Sequence, residues 1–339
     1  MAKTTMSDVA RHAGVDVSTV SRALNERTAP MLRSETVERV LKAAADLGYQ
    51  PNVLARGLRT QKSHTVGMLV PDLTNPFFPP IVRGVEDALD DNDYTLIVAN
   101  TDNDARREAR SLQSLIGRQV DGLVVATSHL DDDDPAEHAT LPVVLVNRRG
   151  TDETRPAVVP DDAAGVRLVV RHLVDLGHRR VAHVAGPEDT STGRVRAQAF
   201  ADQARTAGVY DEDLVEHAAV FTVEDGQEAC QRLLTRHPDV GAIFAANDLI
   251  AIGCLRALRQ AGRRVPEDVS LVGFNDMPLV DLIDPPLTTV RIPQYEMGRQ
   301  AGALLLNLLE NPRARRRRKP VALTPELVER DSTAAASAG

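Results

Sequence analysis

A chain of 339 residues with 42% hydrophobic residues is long enough for two or three packed domains and too apolar for disorder. Aromatic residues make up only 3% and Trp is absent, so the cores must be built from Val, Leu, Ile and Ala. The net charge of −8 alone argues against nucleic acid. Its distribution reverses that judgement: residues 1–64 hold ten Lys and Arg against six acids, net +4, whereas the rest of the chain holds 30 basic and 42 acidic residues, net −12. A small basic head on an acidic body confines phosphate contact to one surface. No apolar run approaches about 18 residues, and the N-terminus has helix caps where a signal peptide would have an apolar core, so neither secretion nor membrane insertion is expected. Cys230 and Cys254 stand alone in helical patterns with no CxxC and no neighbouring His, and read as buried reduced thiols of a cytoplasmic protein.

Thr5 with Asp8 three residues on is a capping-box start for a first helix whose apolar face is Val9, Ala10 and Ala13. Gly14 ends it, and Asp16 can cap a second helix with Val20, Ala23 and Leu24 inward and Val17, Ser18, Ser21 and Arg22 outward. Two short helices around a glycine turn make a helix-turn-helix, which lays its second helix in the DNA major groove. Val37, Val40, Leu41, Ala44 and Leu47 recur at helical spacing in a third helix that Gly48 stops. Residues 49–59 follow as a short segment capped by Asn52 and weakened by Gly57, which costs roughly 1 kcal/mol of helix stability. Such a linker is marginal alone and suits a switch that folds against a partner.

From Thr65 strand and helix alternate. The apolar runs 65–70, 94–100, 122–126 and 143–147 are followed by a second set at 181–185, 217–220, 242–246 and 269–274. Repeated βα units with near-continuous apolar strands imply parallel sheets covered on both faces, and two sets imply two similar lobes. Ligands of open parallel sheets bind beyond the carboxyl ends of the strands. The residues there are Asp72 to Phe78, Thr101, Asn147 with Arg148, Pro187 to Arg196, Phe221, Asn247 with Asp248, and Asn275 with Asp276. This mixture of paired donors and acceptors with a few rings suits a sugar or similar polyol. Each residue also has a structural role open to it. Asn75 can start a turn before Pro76, Phe77 and Phe78 can be lobe core, and Asp248 is expected to cap the helix that follows, leaving Asn247 as the contact. His178 reads as a helix C-cap or surface residue, Asp131 to Asp134 as a solvated acidic loop, and Arg313 to Lys319 as a basic surface turn.

The stretches DVARHAGVDVSTVSRALN, LGYQPNVLARGLRT, NPFFPPIVRGVEDAL, HLVDLGHRRVAHVAGP, AANDLIAIG, VSLVGFNDMP and PPLTTVRIPQYEMG, in that order, resemble the lactose-repressor and galactose-repressor family of bacterial transcription regulators along essentially the whole chain. The resemblance implies an N-terminal all-α helix-turn-helix headpiece (1–50), a hinge (51–64) and an α/β periplasmic-binding-protein-like core of two parallel-sheet lobes. The N-terminal lobe is expected at 65–162 and 291–322 and the C-terminal lobe at 163–290 and 323–331, with a flexible tail at 332–339. The implied crossings between lobes lie near Asp161, Val290 and Leu323.

By position, the resemblance places Val17, Ser18 and Arg22 at base edges, where Arg can grip guanine, Val can pack on a thymine methyl and Ser can contact either base type. Thr5, Thr19, Ser21 and Asn25 are then phosphate contacts or caps, and Asn52 and Leu58 belong to the hinge, with Leu58 as a minor-groove wedge. Arg33 departs from the Ser that the resemblance implies as cap of the third helix, a role open to Ser34 instead. The implied effector contacts are Arg196, Asn247 and Asn275, with Asp72, Asn75, Phe77, Phe78, Arg148, Asp161 and Phe221 as further candidates. Asn275 stands where relatives commonly carry an aspartate, which puts a simple neutral sugar in doubt. The chain shows no GxGxxG, GxxxxGK, GxSxG or HExxH, so no common enzyme site is signalled, and no cofactor or metal is implied. A carbohydrate-active enzyme would need two carboxylates facing one cleft, and a solute-binding protein would need export. The expectation is a cytoplasmic, homodimeric repressor of a palindromic double-stranded DNA operator, controlled by a sugar-type effector with either sign of response.

Overall fold

The computed structural model describes residues 4–24, 28–49, 62–127, 139–152, 154–311 and 320–336. The expectations for Asn25, Asn52, Leu58, the acidic run 131–134, the basic run 313–319 and residues 51–61 of the hinge lie outside the described residues. The chain divides into two compact units, Met1–Ser63 and His64–Gly339.

In the first unit, α1 (Met6–Ala13) opens with a complete capping box. The Asp8 N–H donates to Thr5 Oγ1 at 3.4 Å and the Thr5 N–H donates to Asp8 Oδ2 at 3.0 Å. Gly14 closes the helix at φ 64°, a left-handed conformation that costs glycine no Cβ clash. The second helix, α2 (Val17–Ala23), starts after Asp16, whose side chain makes no capping bond among the described residues. In α3 (Ser34–Asp46), Arg33 holds the N-cap position, so Ser34 is the first helical residue and not its cap. Val9, Ala10, Ala13, Val20, Ala23, Val40, Ala43 and Ala44 close the core. Leu41, expected inside, is 50% exposed. At roughly 100° per residue it falls more than a quarter turn from the stripe of Val37, Val40, Ala43, Ala44 and Leu47, and Ala43 takes the inner place.

The second unit holds two parallel sheets. In the first lobe β1 (Thr65–Val70), β2 (Thr95–Asn100), β3 (Gly122–Val125), β4 (Val143–Val146), β5 (Ala157–Pro160) and β11 (Val321–Leu323) stand in the order β11-β5-β4-β3-β1-β2. In the second lobe β6 (Ala182–Ala185), β7 (Val215–His217), β8 (Ala242–Ala245) and β9 (Ser270–Val272) stand in the order β7-β6-β8-β9. The first sheet carries α4 (Phe78–Asp90), α5 (Ala105–Gly117) and α10 (Gln294–Glu310); the second carries α6 (Asp162–Asp175), α7 (Ser191–Ala207), α8 (Val223–Arg236) and α9 (Asp248–Gln260). Central strands are apolar throughout because both faces are covered: Val66, Met68, Leu69 and Val70 are fully buried, as are Ala242 to Ala245.

The chain passes between lobes after β5, returns between β10 (Thr289–Arg291) and α10, and passes again before β12 (Glu326–Val328), which pairs antiparallel with β10. Close helix contact fixes the first lobe at that return. A Cβ on Gly84 of α4 would lie 2.1 Å from the Tyr295 carbonyl oxygen, and one on Gly298 of α10 would lie 2.0 Å from that of Ile81, so glycine is required at both.

Three expectations are corrected. The strand expected at 217–220 is Val215–His217, because beyond His217 the chain turns toward the interlobe cleft. The tail expected to be flexible from residue 332 is tied down as far as Ala336. Ser332 is buried and its hydroxyl donates to the Leu271 carbonyl at 2.6 Å, while the Ala336 N–H donates to the Leu176 carbonyl at 2.8 Å. His178, expected as a helix C-cap or a surface residue, is neither: Leu176 caps α6, and His178 is buried, with Nε2 3.0 Å from Ser270 Oγ and 3.1 Å from the Ala334 carbonyl.

Candidate functional site

The helix-turn-helix presents one face of α2. Val17 is 44% exposed, Ser18 and Arg22 are exposed, and Thr19 and Ser21 are half-buried, while Val20 and Ala23 anchor the helix from behind. The exposed row thus combines a methyl-packing group, a hydroxyl and a guanidinium, the side chains that read base edges. Thr5, in contrast, spends its hydroxyl on the capping box, donating to Asp8 Oδ2 at 2.6 Å. The Arg22 carbonyl accepts from Thr28 Oγ1 at 2.8 Å, which closes the end of α2 without using the Arg22 side chain.

Between the lobes of the second unit lies a cleft of about 780 Å³ of empty space, its open mouth included. The first lobe lines it with Asp72, Asn75, Phe77, Phe78, Asn103, Asn147 and Arg148, and the second with Asp189, Thr190, Thr192, Arg196, Phe221, Thr222, Asn247 and Asn275. Strand ends deliver most of these groups, as the carboxyl-edge rule requires. Asn75 does both jobs weighed for it: its Oδ1 accepts the Phe77 N–H at 3.0 Å and the residue lines the cleft. Phe77 and Phe78 pack edge to face at 5.2 Å, buried on one side and facing the cleft on the other.

Arg196 is the most constrained group. Its Nε donates to Asp162 Oδ1 at 2.8 Å, Nη1 to the Ala246 carbonyl at 2.7 Å and Nη2 to Asn275 Oδ1 at 3.3 Å, and the guanidinium lies 3.9 Å over the Phe274 ring. Three of five N–H groups are used, leaving two for a ligand. Burial raises the Asp162 carboxyl and the Arg196 charge opposes that rise. Asn147 and Asn275 hold positive φ of 65° and 117°, conformations retained at a clamp only where surroundings enforce them. Asn147 Oδ1 and Arg148 Nε and Nη1 are buried without a hydrogen-bond partner among the described residues. Buried polar atoms in that condition are uncommon and ask for an explanation.

Two expected roles change places with their neighbours. Asp161, a candidate contact, is exposed, caps α6 by accepting the Ala164 N–H at 2.9 Å, and does not line the cleft; the adjacent Asp162 turns inward to Arg196 instead. Asn247, not Asp248, caps α9 by accepting the Ile250 N–H at 2.8 Å, while still lining the cleft. Asp248 is instead bound by Thr289 of β10, whose Oγ1 donates to it at 2.6 Å, and by the Met277 N–H at 2.8 Å. Thr101, noted beyond a strand end, is buried and donates to the Val70 carbonyl at 3.4 Å. Asn103 and Thr222 carry no signal for this site in the sequence; Thr222 is the N-cap of α8, its Oγ1 accepting the Asp225 N–H at 3.2 Å and donating to Asp225 Oδ2 at 2.6 Å.

A helix-turn-helix and a two-lobed, polar cleft in one chain define a DNA-binding regulator that senses a small molecule. Residues 5–52 match the model described as bacterial regulatory proteins, lacI family, and residues 170–333 match a periplasmic binding protein-like domain. The chain is similar to the ribose operon repressor of Halalkalibacterium halodurans, 36% identical over 91% of each chain. Among solved structures it is similar to a transcriptional regulator CelR-cellobiose complex (34% identity, 97% of this chain and all of that one, TM-score 0.74). It is also similar to a lac repressor dimer bound to operator and the anti-inducer ONPF (26% identity, 98% of this chain and 100% of that one, TM-score 0.84). The chain belongs to the lacI family of bacterial regulatory proteins. It is a DNA-binding transcriptional regulator, not an enzyme, and no helix among the described residues is long and apolar enough to cross a membrane.

Proposed function

We propose that this regulator acts in the cytoplasm as a homodimeric repressor that reads a palindromic operator and changes its operator affinity when a sugar-type effector occupies the interlobe cleft. The relatives named above, a ribose operon repressor, a cellobiose-bound regulator and an operator-bound dimer, support the repressor, sugar and dimer parts of this reading. Val17, Ser18 and Arg22 read base edges, Thr19 and Ser21 with Asn25 hold phosphates, and Asn52 and Leu58 act in the segment between the two units.

The observation that carries the effector half is the set of unpartnered buried polar atoms in the cleft. Asn147 Oδ1 asks for a donor, and Arg148 Nε and Nη1 ask for acceptors. A polyol supplies both from neighbouring hydroxyls, and Phe77, Phe78 and Phe221 supply apolar walls for its ring. Both lobes contribute, so a bound polyol favours one interlobe angle over another, and differential affinity for two states is what shifts an equilibrium. Asn275, Arg196 and Asn247 contact it from the second lobe and Asp72, Asn75, Asn147 and Arg148 from the first.

The test pairs two measurements on the full chain: thermal-shift screening against a panel of sugars and nucleosides, and mobility shift on DNA upstream of its own gene with and without the compounds that stabilise it. Stabilisation by a sugar together with an altered operator shift is expected. A protein that retards no upstream DNA, or whose retardation ignores every stabilising sugar, would contradict the reading.

A further inference from the structure

Two arginines face the cleft in unlike surroundings. Arg196 has its counterion in Asp162 and its hydrogen bonds largely made. Arg148, only 5% exposed, makes no ion pair among the described residues, and its Nε and Nη1 are buried without an acceptor. Burial lowers its pKa to about 10, with Arg196 adding to the fall, even though Asp189 and Glu108 pull the other way. Neither acid forms an ion pair with it among the described residues. Glu108 accepts from Thr127 Oγ1 at 2.6 Å, and Asp189 sits in the exposed turn at the cleft mouth. The other buried polar side chains lining the cleft are uncharged, the amides of Asn75, Asn147, Asn247 and Asn275 and the hydroxyls of Thr190 and Thr192, and its two carboxylates, Asp72 and Asp189, are not buried.

A guanidinium stays charged at neutral pH, and burying a charge is costly unless an opposite charge comes with it. A hydroxyl satisfies the N–H groups but leaves the charge uncompensated, whereas a carboxylate does both through charge-assisted hydrogen bonds. We infer that the effector is a polyhydroxy carboxylate, a sugar acid, whose carboxylate meets Arg148 while its hydroxyls engage Asn147 and the two remaining N–H groups of Arg196. The inference rests on the polyol reading of the cleft given above and narrows it to an anionic member.

Matched pairs test it. D-Gluconate against D-glucose, and D-ribonate against D-ribose, are titrated calorimetrically into the full-length protein and its Arg148→Gln and Arg148→Lys variants. In at least one pair the acid binds about ten-fold tighter or more than its neutral parent, that ratio falls toward one in Arg148→Gln, and Arg148→Lys keeps part of it. Arg148→Gln removes a buried charge that lacks an ion-pair partner, so it is expected to fold, and the lysine variant holds the charge constant if it does not. Equal or tighter binding of the neutral parents, or a preference that survives Arg148→Gln, overturns the inference and leaves a sugar-responsive regulator standing. Ribose 5-phosphate and inorganic phosphate form a further arm, and tighter binding of either than of both acids overturns the carboxylate assignment. If none of these compounds binds, the polyol reading falls with it, while operator retardation by the same preparation reports on the DNA-binding half separately.

Discussion

The side chain of Gln294, the first residue of α10 in the first lobe, donates a 2.6 Å hydrogen bond to the backbone carbonyl of Asn275, whose amide oxygen accepts from Arg196 in the second. One cleft residue is therefore joined to both lobes, and the first-lobe helix it reaches is locked against α4 at Gly84 and Gly298. Such a bridge lets closure around a ligand move α10. Gln294→Leu should reduce the effect of the sugar on operator affinity by about 0.5–2 kcal/mol of coupling, with a smaller change in sugar affinity itself. The check is operator affinity measured with and without saturating sugar; a coupling equal to that of the parent protein would remove Gln294 from the path.

Arg22→Ala is expected to cost about 1–3 kcal/mol of specific binding, concentrated at one guanine of each half-site, because Arg22 is exposed and its guanidinium makes no hydrogen bond among the described residues, whereas the Thr5 hydroxyl is taken up by Asp8. A competition assay against single-base operator variants reads this directly. Uniform weakening at every sequence would instead make Arg22 a phosphate contact.

Much of this architecture was legible because its signals are local. Strands covered on both faces read as unbroken apolar runs, and seven of eight expected runs overlap a parallel strand closely. The short strands β5, β10, β11 and β12 were not, since three or four residues at a lobe crossing carry no period of their own. In the cleft the errors are shifts of one residue. Asp161 and Asp162 are both helix-start acids in sequence, and only the position of Arg196, brought in from another helix, decides which turns inward. Asn247 and Asp248 are both good caps, and Thr289, from a strand that returns between the lobes, claims the second. The missing partners of Arg148 depend on everything around it and leave no trace in the sequence.

Leu279 and Leu282 stand 66% and 75% exposed on one loop of the second lobe, and Leu279 is held at φ 76°, a strained conformation for a branched side chain. Large apolar groups presented together on a surface mark an interaction site. In a homodimer they are the natural contact, and Leu282→Asp should shift the protein toward monomer by ten-fold or more in dissociation constant, about 1.4 kcal/mol, with loss of palindromic operator binding. Sedimentation velocity over a concentration series decides; an unchanged dimer would place the interface elsewhere.

Asp248 is fully buried near the strands that cross between lobes, and burial pushes its carboxyl up to about 7. Hydrogen bonds from Thr289 and Met277 oppose that rise and Asp276 adds to it. Because the folded state holds the proton more tightly than the unfolded chain, the contribution is complete below the ordinary aspartate range near ~4 and is lost as pH rises toward 7, at most about 1.4 kcal/mol per unit. His183 has the opposite sign: burial lowers it to about 3, so its contribution is present above about 6.5 and lost as pH falls. The two partly cancel across that interval. Asp248→Asn should remove the first term and leave the second, so melting temperature should rise more steeply from pH 4 to 7 in the variant than in the parent. Parallel pH curves would show that Asp248 is ionised throughout.

The buried pair of Arg196 and Asp162 separates folding from sensing. Removing only the arginine, as in Arg196→Met, strands a carboxylate that burial already pushes up, and breaking a buried pair from one side costs about 3–5 kcal/mol. Replacing both, as in Arg196→Met with Asp162→Leu, removes the uncompensated charge and should return most of that stability, since apolar pairs of similar volume often match a buried ion pair. The double variant should nevertheless ignore the effector, because the two N–H groups that Arg196 keeps for a ligand are gone, while its exposed α2 face still retards operator DNA. Denaturant unfolding gives the stability of each variant, and calorimetric titration with mobility shift gives the response. Recovery of sugar binding along with stability would mean that Arg196 serves the fold alone.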